Sequence, residues 1–306
     1  MTEHFDTIQL VPNAGWDERI LVVRCGTLVD AFVVVSQHYV VLVDTLINPR
    51  TAAELLRIAA PHLEGRQLLV VNTHAHWDHC WGNQLFSGPG ATHPAPVIAT
   101  RRCTQLFARP EAHEKLAQQR ASQPDRFGEV VLMPPTLLFD ERLRIDGGDL
   151  MLELFATPGH AADHIAISIP EIGTLLAGDA AELPFPFVES AATLPELRAS
   201  LARMAALEPR VVLYCHAAGV SSPQLLHDNM AYFDEVERRC RDALASGAPA
   251  RPSDDTDIEA LVGFPFEAAI PAGHDPALLA GFYRGGHHGT IRAMLEYLSQ
   301  TLPDQH

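Results

Sequence analysis

Three imidazoles and one carboxylate fall within six residues in Thr73-His74-Ala75-His76-Trp77-Asp78-His79, an H-x-H-x-D-H pattern. A chain with 16 His in 306 residues would show this pattern by chance in about two cases per thousand, so chance is set aside. Gln67-Leu68-Leu69-Val70-Val71-Asn72 runs into it and reads as a buried strand. Cys80-Trp81-Gly82-Asn83 follows and reads as a tight turn onto a helix start. The cluster therefore belongs on a loop at a strand end, where metal and catalytic residues are commonly held. Neutral imidazole nitrogen and carboxylate oxygen both suit Zn²⁺ and its first-row neighbours. On an extended segment residues i and i+2 point the same way, so His74 and His76 can reach one metal together. Past the turn, Asp78 and His79 can face a second metal beside the first.

The bulk numbers exclude several classes. Hydrophobic content of 47% against 20% charged residues predicts a sizeable core. A net charge of −16 argues against a nucleic-acid partner, which needs clustered Lys and Arg. Five Cys at irregular spacing make neither a disulfide framework nor a C-x-x-C zinc pattern, and scattered thiols fit a reducing cytoplasm. Met1-Thr2-Glu3-His4-Phe5-Asp6 has no basic or apolar leader region, and no apolar run reaches 18 residues, so no membrane association is expected.

In chain order, Ile20–Val23, Ala31–Val35 and Val40–Val43 read as an antiparallel meander ending at Asp44. Residues 51–62 read as an amphipathic helix capped by Thr51, and 101–120 as helical. Strands are expected at 150–156, 164–169, 174–177 and 210–214, and helices at 195–207, 223–245 and 277–300, with 246–276 as a loop. This mixture predicts a layered α/β arrangement with sheets inside and helices outside. The division expected is a catalytic domain over 1–222 and a mainly helical C-terminal extension over 223–306.

Three further strands end in a residue able to bind metal: Thr157-Pro158-Gly159-His160, Gly178-Asp179 and Cys215-His216. Singly each has an ordinary reading, as a core imidazole or a turn. Together with the first cluster they put seven ligand-capable residues at four strand ends. This series, with Asp44 after an apolar strand, resembles the metallo-β-lactamase-fold hydrolases over residues 18–216. Locally, T-H-A-H-W-D-H with Gly82-Asn83, and T-P-G-H followed by His164, look like glyoxalase II. The sequence departs from that pattern at Trp81, at Ala180-Ala181, at Cys215 and in having no Lys in its C-terminal part.

The resemblance implies a four-layer αββα sandwich with a dinuclear site at one edge. It implies that His74, His76 and His160 hold one metal, that Asp78, His79 and His216 hold the other, and that Asp179 bridges them. Two Zn²⁺ suit these ligands, with Fe or Mn as competitors. A water between them would drop in pKa from about 15.7 toward about 7 and supply hydroxide to an ester, thioester or lactone carbonyl. Asp78 and Asp179 are expected to be catalytic as well as ligating, and no Ser or Cys nucleophile is needed.

Asp44 and His164 are read as partners orienting ligand imidazoles or as structural polar residues. Trp77 and Trp81 line the pocket mouth or belong to the core. In Phe282-Tyr283-Arg284-Gly285-Gly286-His287-His288, Arg284 would bind a substrate carboxylate and His287 and His288 would reach the pocket; otherwise the segment is a turn between helices. Cys80 and Cys215 read as buried, inert thiols. The partner expected is a small carbonyl compound, with a homodimer through the helical appendage. Lactonases share the ligand set and stay open beside glyoxalase II. A mononuclear-iron oxygenase would not need Asp78, His79, Asp179 and His216 together. A phosphodiesterase sits badly with the charge, a dead binding module with the intact ligand series, and a β-lactamase with the absent leader.

Overall fold

The computed structural model describes residues 6–217 and 219–301. Most of the leader stretch, residues 1–5, lies outside the described residues. One compact unit gathers residues up to 156 with 163–178 and 209–221. Its larger sheet holds β1 (Ile8–Leu10), β2 (Ile20–Cys25), β3 (Val29–Val35), β4 (Tyr39–Val43), β5 (Gln67–Val71), β6 (Val97–Thr100) and β7 (Leu137–Phe139), side by side in chain order. Pairing is antiparallel from β1 to β4 and parallel from β4 to β7. The smaller sheet holds β8 (Arg142–Asp146), β9 (Met151–Ala156), β10 (Ile165–Ile169), β11 (Thr174–Gly178) and β12 (Val211–Tyr214), again in chain order. There only β11 and β12 run parallel.

The expected meander is present. β3 is buried along its whole length, as a β-branched run without polar alternation requires when both faces are covered. Phe32, Val41 and Val43 of the larger sheet share one hydrophobic cluster with Leu152, Leu154, Ile165 and Leu213 of the smaller. The sheets thus close on a common core, the α/β sandwich that the resemblance implied. Short strands escaped the sequence reading: β1, β6, β7 and β8 carry three to five residues each.

Helix α1 (Pro49–Ala59) starts earlier than expected. Its cap is Asn48, whose side chain accepts from the Thr51 amide while the Thr51 hydroxyl accepts from the Asn48 amide. Thr51 is therefore the reciprocal member of the box. Short α2 (Trp77–Cys80) follows β5. The helical stretch after β6 is split into α3 (Arg101–Phe107), α4 (Pro110–Ser122) and α5 (Pro124–Phe127), because Pro110 and Pro124 each restart a helix at its first turn.

The second unit gathers residues 157–162, 179–208 and 222 onward. It carries α6 (Leu194–Ala205), α7 (Gln224–Ala245), α8 (Ile258–Val262) and α9 (Pro276–Thr301). The stretch expected as loop, 246–276, contains α8, capped by Asp257 accepting from the Ala260 amide. The segment from Phe282 to His288 is no turn: it lies inside α9. Gly285-Gly286 signals a break, but Tyr283, His287, Ile291 and Met294 recur at helical spacing and are buried, so packing of one face holds the helix. Phe185 stacks on Tyr232 at 4.0 Å at the heart of this unit. The described residues include no helix long and apolar enough to cross a membrane.

Register positions the loops of the first unit. Val43 pairs with Val71, so the residues after β4 and β5 emerge together, and the Asp44 amide donates to the Val71 carbonyl at 2.8 Å. The two sheets also meet here: the Ile165 amide donates to the Thr73 carbonyl at 3.0 Å, and the Asp30 amide to the Cys215 carbonyl at 2.9 Å. Gly82, just past α2, lies so close to the chain after β4 that a Cβ there would sit 2.1 Å from the Thr45 carbonyl oxygen and 2.6 Å from the Ala52 Cβ. Backbone and a packed helix cannot yield at those distances. Gly82→Ala should therefore destabilise the protein by about 1–3 kcal/mol in a urea titration. An unchanged midpoint would show that the loop does not depend on this approach.

Candidate metal centre

Asp44 ends β4 with φ +69°, in the left-handed region that a short polar side chain tolerates. The turn aims its carboxylate back at the loop after β5. Oδ1 accepts from the Thr73 amide at 2.7 Å, and Oδ2 from the Thr73 hydroxyl at 2.8 Å. Oδ2 also faces His79 Nδ1 at 2.8 Å. Burial pushes the Asp44 carboxyl above its ordinary value, while His79 and Thr73 oppose that shift.

With Asp44 ionised, the state its Thr73 donors and His79 favour, two tautomers follow. An ionised Asp44 can only accept, so His79 donates from Nδ1 and carries its lone pair on Nε2. The Thr73 hydroxyl spends its proton on Asp44, so at 3.0 Å it accepts from His74 Nδ1, and His74 also carries its lone pair on Nε2. One carboxylate thus prepares two imidazoles for a cation, in the manner of carboxylate–histidine–metal arrangements.

Within the first unit the donor atoms gather. Asp78, His79 and His216 each offer one, and these lie within 4.8 Å of one another. His216 Nε2 is 3.4 Å and His79 Nε2 3.8 Å from Asp78 Oδ2. Metal bonds of about 2.1 Å at tetrahedral angles put neighbouring donors about 3.4 Å apart, so this spacing fits a Zn-type cation, as does the donor chemistry. The His74 ring centroid lies 4.4 Å from that of His76 and 4.2 Å from that of His79. His164 is fully buried with its ring 5.0 Å from His74, a packing neighbour of a ligand-type imidazole.

The second unit holds the other two expected ligands. His160 Nε2 lies 3.6 Å from Asp179 Oδ2. The loop carrying His160 is seated on α6: the Ser200 hydroxyl donates to the Pro158 carbonyl at 2.8 Å. Gly159 has φ +133°, and a Cβ there would lie 2.3 Å from Leu197 backbone atoms, so glycine is required.

Other expected residues have different surroundings. Trp81 is buried, its ring 6.1 Å from Trp77 and 5.6 Å from Phe127, as the core alternative has it. Arg284 lies over the Phe266 ring at 4.9 Å and pairs with Glu259 and Glu267, so its charge is already met by two carboxylates. His287 is fully buried between the Tyr232 hydroxyl and the Phe264 carbonyl, each at 2.9 Å, and burial lowers its pKa; it is a structural residue of the second unit's core. His288 pairs with Glu259 at 2.7 Å. Cys80 donates to the His76 carbonyl at 3.1 Å, and burial pushes its thiol well above the ordinary value, as an inert thiol requires. Cys215 is buried and offers a donor atom within 4.8 Å of Asp44 and His79.

Sequence reasoning missed two residues. Thr73 was inside the quoted motif, but its relay depends on the Asp44 turn. Glu182 is 1% exposed, and its Oε1 lies 3.5 Å from His160 Nδ1. Its signal was a carboxylate enclosed by apolar residues, Ala180-Ala181 before it and Leu183-Pro184-Phe185 after it.

Residues 26–216 match the family model described as the metallo-beta-lactamase superfamily. The hydroxyacylglutathione hydrolase of Hahella chejuensis is 28% identical over 221 residues, 68% of this chain and 71% of that protein. Among solved structures, a beta-lactamase domain protein from Burkholderia ambifaria superposes with a TM-score of 0.66 at 19% identity, covering 94% of this chain and 87% of that one. A metallo-beta-lactamase family protein from Thermus thermophilus gives 0.59 at 22% identity, covering 96% and 93%. At such identities the structural likeness speaks for the fold alone.

Asp44→Asn tests the tautomer argument. Asparagine keeps the left-handed turn but can present an amide N–H to His79 Nδ1, favouring the wrong tautomer. Zn²⁺ affinity measured by chelator competition should fall about 10–100-fold. An unchanged affinity would show that Asp44 does not set the ring nitrogens.

Proposed function

Because the chain belongs to the metallo-β-lactamase superfamily, we propose that it is a dinuclear metal-dependent hydrolase of a small ester- or thioester-type carbonyl substrate. The observation that carries this reading is the donor spacing of Asp78, His79 and His216 behind a carboxylate that aims the imidazole lone pairs. The ligand set proposed is His74, His76 and His160 for one cation, Asp78, His79 and His216 for the other, with Asp179 shared. Two Zn²⁺ suit these histidine-rich donors, with Fe or Mn as competitors at a position bridged by the Asp179 carboxylate.

When bound, such cations supply Lewis acidity toward a carbonyl oxygen and acidify a water for attack on the carbonyl carbon. The chain's own part is to hold and orient. Asp44 and Thr73 fix the His79 and His74 rings. Asp78, whose side chain is 11% exposed, presents an oxygen at the edge of the buried cluster, where it can accept a hydrogen bond from the attacking water. Asp179 is proposed to act on the same water. A buried cluster strengthens each of these electrostatic contacts.

The relative from Hahella chejuensis is named for hydrolysis of a hydroxyacyl-glutathione, which supports a thioester as substrate. One observation favours a second reading, a lactone. The chain's single lysine, Lys115, lies outside the second unit, and Arg284 is held by Glu259 and Glu267. An acyl-glutathione carries two carboxylates that call for cationic partners, whereas a neutral acyl lactone calls for none. Five buried cysteines support a reducing compartment such as the cytoplasm.

The test is turnover of a glutathione thioester, an acyl-homoserine lactone, an aryl ester and a β-lactam by metal-assayed protein. Hydrolysis of the thioester or the lactone, lost on chelation and restored by Zn²⁺, is expected. His76→Ala or Asp179→Ala should lower kcat/KM by at least about 10³-fold, the scale of losing an electrostatic catalyst. Normal turnover in either variant, or in chelated protein, would overturn the proposal.

A further inference from the structure

Glu182 is an expensive residue in its position. A carboxylate buried to 1% exposure beside Phe185 and Ala181 costs free energy unless donors compensate it, and a site of packing alone would be filled by an apolar side chain. Its placement is fixed from the backbone. The Glu182 amide donates to Asn229 Oδ1 at 3.0 Å, and Asn229 Nδ2 donates back to the carbonyls of Glu182 and Pro184, each at 2.9 Å. Asn229 is itself fully buried on α7. The segment after Asp179 is thereby clamped to α7.

The two carboxylate oxygens point to different partners. Oε2 accepts from the Tyr283 hydroxyl at 2.8 Å. Tyr283 is 5% exposed on α9, and its ring packs against those of Phe185 and Phe187 at 5.9 and 5.2 Å. Oε1 lies 3.5 Å from His160 Nδ1, while His160 Nε2 faces Asp179 at 3.6 Å. The imidazole is thus bracketed, with a carboxylate behind Nδ1 and a ligand-type carboxylate before Nε2. A carboxylate behind Nδ1 favours the tautomer with its proton there and the lone pair on Nε2. At 3.5 Å the pair is in electrostatic contact, longer than a formed hydrogen bond, and such contacts tighten when the ring is fixed by what it binds.

We propose that Glu182, itself held by Tyr283, is a positioning residue for His160, and that α9 of the C-terminal region contributes to the metal centre through this chain of contacts. Asp44 does the same for His79, so the chain uses two unrelated carboxylates, one in each compact unit, to orient imidazoles. The inference rests on the metal-centre reading above. It assigns a function to the part of the chain beyond the matched family region, which ends at residue 216.

The test is metal binding rather than turnover. Full-length wild type, Glu182→Gln, Tyr283→Phe and the double variant are titrated with Zn²⁺ against a chromophoric chelator, and with Co²⁺ while its visible bands are recorded. Far-UV circular dichroism verifies the fold of each. In Glu182→Gln one equivalent should weaken about 10–100-fold and the Co²⁺ bands should shift, with the second equivalent unchanged. Tyr283→Phe should weaken the same equivalent several-fold, and the double variant should be no worse than Glu182→Gln, because tyrosine acts through the carboxylate. A folded Glu182→Gln with wild-type affinity and bands overturns the inference while leaving the metal centre standing. If Glu182→Gln does not fold, Tyr283→Phe decides, and unchanged affinity and bands overturn the inference. Wild type that takes up no cation overturns the metal-centre reading and this inference with it.

Discussion

Asp44 is one buried carboxylate with three donors aimed at it, two from Thr73 and one from His79. The organisation of the first unit's site follows from that arrangement. The parallel pairing of β4 and β5 brings the two strand ends together, and the left-handed turn at Asp44 directs its side chain across the gap. The loop after β5 is stitched to the smaller sheet through Thr73 and Ile165, so the same segment joins both sheets. Such rigidity matters because a metal ligand placed loosely binds poorly, and a strand-end loop held on both sides is held well. The cost is a strained backbone and a carboxylate taken out of water, and both persist because the surrounding contacts determine them.

Much of this was legible in the sequence, for a physical reason. The seven ligand types follow apolar strands, and an apolar strand declares itself by its β-branched run. The H-x-H-x-D-H loop was recognisable because its residues are close in sequence, and the local geometry of an extended segment followed by a turn nearly dictates what they can do. The meander over β2, β3 and β4 and the long helices α7 and α9 were likewise written in periodicity. What was not legible is what depends on pairing at a distance. The Thr73 relay requires the register of β4 against β5. The role of Glu182 requires α9 to bring Tyr283 to it, and no spacing announces that.

The C-terminal region shows how local signals mislead. Gly285-Gly286 with two adjacent histidines left two readings open, Arg284, His287 and His288 reaching substrate or a solvated turn between helices. Helical packing of Tyr283, His287 and Ile291 overrides the glycines, and each of the three polar residues finds partners within its own unit: carboxylates for Arg284 and His288, the Tyr232 hydroxyl and a carbonyl for His287. Trp81 teaches the same lesson from the other side. Its place next to the ligands in sequence left a pocket wall open beside the core, and α2 turns it into the aromatic cluster with Trp77 and Phe127. Proximity in sequence to a site predicts function well only for side chains that the local backbone points at it.

The most direct measurement is the number of divalent cations the purified chain holds, by elemental analysis after dialysis against metal-free buffer and again after stripping and reloading with Zn²⁺. Two per chain, recovered on reloading, is the result this account predicts. A chain that binds none, or that saturates at one, would contradict it.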